Sequence, residues 1–126
     1  MTAKELVLDW FDKWEKADYL NLAISEDFIH QSPYGVIDSK DSYLKLVKAN
    51  EKNFLGHRFI IHEIMEQSDR CCVRYTSRKG EFEMEVCEWH YIRDAEIYKI
   101  IAYYNIEGDI SEERQLSDSE EYDKNV

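Results

Sequence analysis

FEMEVCEWHYIRDAEIYKIIAYYN, residues 82–105, reads as two long strands hinged at Asp94-Ala95. Along one face of the first strand, the ionisable Glu88 and His90 alternate with Val86 and Ile92. A strand that only packs a core has no use for such groups, because an unpartnered buried polar group costs several kcal/mol. The mixture predicts the wall of a pocket.

Upstream, Arg78-Lys79-Gly80-Glu81 predicts a hairpin with Lys79-Gly80 in its turn, glycine supplying the positive φ such turns need. Val73 then falls opposite Val86, Tyr75 opposite Met84, Ser77 opposite Phe82 and Cys71 opposite Glu88, all facing inward. The outward pairs are Arg74 with Glu85, Thr76 with Glu83, Cys72 with Cys87 and Arg70 with Trp89. Continuing the alternation past Asp94-Ala95 turns Ile97, Lys99, Ile101, Tyr103 and Asn105 inward. Trp89, Tyr91, Tyr98, Ile100 and Tyr104 then form an outer aromatic and aliphatic patch, read as a homodimer surface. A one-residue bulge at the turn would exchange the two faces of the last strand.

With 126 residues the chain is expected to form one domain over 1–110, followed by an acidic mobile tail or short exposed helix over 111–126. Lys and Arg number 16 against 27 Asp and Glu, a net charge of −11, which repels phosphate backbones and anionic lipid. Neither nucleic acid nor membrane is an expected partner. No apolar stretch approaches the roughly 18 residues of a spanning helix, and MTAKELVLDW lacks the apolar block of a signal peptide. Three cysteines, two of them adjacent, fit free thiols in a reducing cytoplasm, although Cys72 and Cys87 are placed to bond under oxidation.

Thr2 and Glu5 form a capping box, behind which Leu6, Val7, Trp10, Phe11, Trp14 and Ala17 give a first helix with a wide apolar stripe. A short helix over 19–24, an extended segment over 28–31 turned by Ser32-Pro33-Tyr34-Gly35, and a third helix over 40–52 follow. Tyr43, Leu44 and Val47 mark the third helix's apolar side, and Asp38 or Ser39 its start. From His57 onward strands are expected over 57–66, 70–77, 81–93 and 96–106. Helices first and strands after predict an α+β fold, a mostly antiparallel curved sheet with three N-terminal helices against one face.

In this order the elements resemble the nuclear transport factor 2-like superfamily, specifically its SnoaL-like branch. The local marks are Trp14 to Asp18 before Leu20, the run DFIHQSPYG at 27–35, and IRDAEI at 92–97 followed by Tyr103-Tyr104-Asn105. The resemblance covers residues 4–109 and implies a cone of curved sheet around the first helix, with a pocket at its wide end and a dimer through the sheet. Among such proteins are isomerases moving a proton beside a carbonyl, polyketide cyclases, epoxide hydrolases and dehydratases, so it implies a cofactor-independent isomerase, cyclase or lyase, or a non-catalytic binding module. Ala95 stands where these proteins usually turn on glycine. Asn105 stands where a pocket aspartate often acts as acid or base, a role asparagine cannot fill.

Candidate catalytic residues are His90 and Glu88, two apart on the inward face, with His30 as a second acid or base. Glu88 and His90 equally suit an internal ion pair joined by Lys99 or Arg58. Asn105, Tyr103, Tyr75 and Tyr34 are placed to hold a carbonyl or enolate oxygen. Trp14 and Met84 complete the expected lining, and Trp10 and Trp14 also suit a plain core. The expected ligand is a small apolar molecule carrying a carbonyl or hydroxyl. His57 and His62, five apart on a strand, face opposite ways and do not suggest a metal. Without a phosphate loop or a Ser-His-Asp pattern, no cofactor is implied.

Overall fold

In the computed structural model, which describes residues 1–106 and 112–114, helix α1 (Ala3–Glu15) opens the chain. The Thr2 hydroxyl accepts from the Glu5 amide and the Glu5 carboxylate from the Thr2 amide, closing the expected capping box. Ala3, Leu6, Val7, Trp10, Phe11 and Trp14 are buried along one side. A single 3₁₀ turn, Tyr19–Asn21, replaces the expected second helix, and Leu22 is already extended.

Strands β1 (Ile24–Ser32) and β2 (Gly35–Asp38) form the hairpin turned at Pro33-Tyr34, and Ser39 caps helix α2 (Lys40–Ala49) by accepting from the Ser42 amide. The expected third helix breaks at Asn50 into α2 and the single turn α3 (Glu51–Phe54). Then come β3 (Arg58–Gln67), β4 (Arg70–Lys79), β5 (Phe82–Arg93) and β6 (Glu96–Tyr103). Among the described residues they make a six-stranded curved sheet ordered β2-β1-β6-β5-β4-β3, antiparallel except for β1 beside β6. The fold is α+β.

The helices fill the concave side. Phe11 meets Phe59 of β3 and Tyr75 of β4, Trp10 meets Phe28 of β1 and Tyr43 of α2, and Trp14 stacks on Phe54 of α3. These aromatic contacts tie α1 to β1, β3, β4, α2 and α3.

Two register findings correct the sequence reading. In the β4–β5 hairpin the turn is Gly80-Glu81, with Lys79 opposite Phe82, so Tyr75 faces Val86 and Val73 faces Glu88. The expected pairing is off by two residues. Because side chains alternate with period two, that slip keeps every residue on its expected face.

The β5–β6 hairpin differs in kind. Asp94 and Ala95 both adopt positive φ, 52° and 61°, in a two-residue turn, and a bulge follows it: Ile92 pairs with Ile97 but Tyr91 pairs with Lys99. Tyr98 is the extra residue. Ile97 stays inward as expected, but beyond it the faces exchange, so Ile100 and Ala102 are buried whereas Tyr103 is 59% exposed and Asn105 is exposed. Lys99, Ile101, Tyr103 and Asn105 therefore leave the inward surface, and Ile100 and Tyr104 leave the outer patch.

The acidic segment 111–126 lies outside the described residues apart from a 3₁₀ turn at Glu112–Arg114. No helix among the described residues is long and apolar enough to cross a membrane.

Candidate active site

A cavity of about 290 Å³ opens between the helices and the concave sheet. Trp10, Phe11 and Trp14 of α1 and Tyr43 of α2 form one wall, Tyr75, Met84, Glu88 and Ala102 come from the sheet, and Tyr104 follows directly after β6. The surface is largely apolar. Its charged group is Glu88, placed by the inward parity of β5.

The Glu88 carboxylate accepts at both oxygens, from His90 Nε2 at 2.8 Å and from the Tyr75 hydroxyl at 2.9 Å. Burial works to raise its pKa, but the hydrogen bond and charge of His90, the nearby His30 and the Tyr75 hydroxyl outweigh burial and hold it below its ordinary value. Glu88 is thus an anion in a nearly dry wall. The Tyr75 hydroxyl is pushed well up, by burial first and then by the Glu88 charge, which keeps it a donor.

His90 itself does not line the cavity. It is fully buried behind Glu88, its ring edge-on to Trp10 with centroids 5.8 Å apart. A carboxylate only accepts, so His90 Nε2 carries the proton, while Nδ1 is buried without a partner among the described residues. Neither proposed cation completes this network: Arg58 lies 3.6 Å from Glu15, and Lys99 faces outward.

His30 sits on β1 and lines the cavity, its ring stacked on Tyr43 at 5.3 Å. Burial lowers its pKa, partly offset by the Glu88 charge, so the imidazole is neutral near pH 7. The Tyr43 hydroxyl is pushed far up by burial and by Glu88 and stays protonated.

The structure therefore brings Glu88, His30, Trp14, Tyr75 and Met84 to one cavity with His90 behind them, and leaves Asn105, Tyr103 and Tyr34 outside. Tyr34 is 72% exposed in the β1–β2 turn. Sequence reading missed Tyr43, Tyr104 and the pair His57 and Ser77, which also line the cavity. Tyr43 was legible as buried helix stripe, whereas Tyr104 depends on the bulge. His62 faces away from His57 and pairs with Thr76 Oγ1 at 2.7 Å, and no cluster of three metal-ligating side chains exists among the described residues.

No protein-family model matches this chain, and no curated protein does. Solved structures do. An NTF2-like protein of unknown function from Cytophaga hutchinsonii superposes with a TM-score of 0.71 at 16% identity, over 83% of this chain and 91% of that one. A SnoaL-like protein from Burkholderia thailandensis gives 0.70 at 17% identity, over 82% and 94%. A Kribbella flavida protein provisionally named a ketosteroid isomerase gives 0.71 at 12% identity, over 86% and 81%. At such identities the likeness is one of fold, and the fold is that of the NTF2-like and SnoaL-like proteins.

Proposed function

We propose that this chain of NTF2-like fold binds a small, largely apolar molecule with a carbonyl or hydroxyl group, and moves a proton at the carbon beside that carbonyl without a cofactor. One observation carries the reading: a carboxylate held ionised and hydrogen-bonded by a buried histidine shares one largely apolar cavity with a second, neutral histidine. In this reading His30 takes and returns the proton, and the Glu88 anion stabilises the imidazolium that forms. Tyr43 and Tyr104, in place of Asn105 and Tyr103, donate to the developing oxyanion. His90 positions Glu88. A volume near the lower end of the roughly 300–1,000 Å³ typical of ligand sites favours a molecule of one or two rings.

The test is solvent-deuterium incorporation into a panel of one- and two-ring ketones, read by mass spectrometry. Exchange above buffer is expected for at least one ketone, falling by about a hundredfold or more in His30→Gln. A different reading, a binding module with a closed polar network, is favoured by the fact that both Glu88 oxygens are already engaged. Ketones that raise the melting temperature but never exchange would select that module.

We also propose that the convex sheet face mediates a homodimer in a reducing cytoplasm, a setting that suits three unpaired cysteines. With Ile100 and Tyr104 turned inward and Ile101 and Tyr103 turned outward, the surface keeps Trp89, Tyr91 and Tyr98: Trp89 stacks on Tyr91, Tyr91 tilts against Tyr98, and Arg70 and Arg93 lie over the Tyr91 and Tyr98 rings. Sedimentation should show a dimer that Trp89→Glu converts to monomer. A monomeric wild type would end this part of the reading.

A further inference from the structure

Two residues farther along the same face of β4 than Tyr75, the Ser77 hydroxyl lies 3.0 Å from His57 Nδ1. His57 Nε2 in turn lies 2.8 Å from the Asn53 carbonyl oxygen. A carbonyl can only accept, so Nε2 bears the proton and the neutral ring presents a bare Nδ1 to Ser77. The serine therefore donates to the imidazole. Phe59 stacks on the His57 ring and Phe82 meets it edge-on, holding its plane. Ser77 is only 6% exposed, and both Ser77 and His57 line the cavity.

A hydroxyl hydrogen-bonded to a base whose tautomer is set by a third group is the arrangement that activates a serine. The same bonds tie the loop after α3 to β4, but that structural task does not require either side chain to face the cavity. We infer that Ser77 is a nucleophile activated by His57, and that it accepts the acyl group of an aryl ester entering the cavity. Ser77 Oγ forms a bond to the ester carbonyl carbon as its proton passes to His57 Nδ1. The carbon–aryloxide bond then breaks, and the leaving oxygen takes that proton from His57. Water repeats the sequence on the acyl-serine, giving the carboxylic acid and free Ser77. This chemistry uses neither Glu88 nor His30 and stands independently of the proton-transfer reading.

The full-length chain is treated with p-nitrophenyl acetate and, separately, with an aryl fluorophosphonate, and adducts are mapped by peptide mass spectrometry. Ser77 should be modified at least about tenfold faster than the exposed Ser42 and Ser68 of the same molecules, a modest share of what a positioned base supplies. His57→Gln should bring Ser77 down to the rate of those two. Modification of Ser77 no faster than Ser42 in the wild type overturns the inference, whatever the variant does. So does a His57→Gln protein with wild-type melting temperature and undiminished labelling.

Discussion

Nε2 of His90 sits 2.8 Å from Oε1 of Glu88, with both side chains almost completely shut from water, yet only Glu88 faces the cavity. The histidine is the hidden half of the pair. It holds the carboxyl's pKa down where burial alone would raise it.

Replacing His90 by Leu removes that partner while keeping bulk. The expected loss is about 3 kcal/mol at pH 7, because a buried charge is left with Tyr75 alone. Adding Glu88→Gln should recover part of it, since the two sites are coupled. Urea unfolding of both singles and the double gives the coupling energy, and strict additivity would rule the pair out as a unit.

Stability should fall with acid in two separable stages. His30 has a folded pKa below its ordinary 6.5, so below that pH the unfolded chain binds the proton more readily, and stability declines as pH drops from 6.5 toward the folded value. Glu88 has a folded pKa below 4.5, so its contribution is complete above 4.5 and lost as pH falls through the folded value. His30→Gln should flatten the first stage and Glu88→Gln the second, in denaturation series between pH 7 and pH 3.

Ala95→Gly should stabilise the protein. At φ 61° an alanine is strained and a glycine is not, and the gain left after glycine's extra unfolded-state entropy is about 0.5–1 kcal/mol. Thermal melting decides it, and a loss of stability would mean that the turn tolerates the methyl group.

Asn105→Asp should create an ordinary surface carboxylate. The position is exposed on the far side of the bulge, so NMR titration is expected to place the new group within about half a unit of 3.9. A strongly raised value would put residue 105 in the cavity after all.

Much of the architecture was legible because its signals are local. The Thr2–Glu5 box and the Leu6 to Trp14 stripe marked α1, and alternating apolar residues marked β3 to β6. Glu88 and His90 were read onto the inward face even with the hairpin mis-registered, since a slip of two residues leaves facing intact. Charge matching could not have corrected the register: Arg74 pairs with Glu63 on β3, not with the Glu85 expected opposite it on β5, while Arg78 pairs with Glu83 on β5. The 3₁₀ turn at Tyr19–Asn21 and the break at Asn50 were hidden because the backbone leaves the helix at Leu22 and at Asn50 with no glycine or proline there to mark it.

From residue types and their spacing alone, the chain determined its fold class, its first helix and the inward parity of β5, all set by periodicities the backbone imposes on neighbours. Tertiary structure alone decided whether Asn105 or Tyr104 reaches the cavity, and that His57 meets Ser77. The first choice turns on one bulged residue, Tyr98, whose extra step reverses everything after it. The second joins residues 20 positions apart across two elements, a closeness that sequence periodicity does not encode.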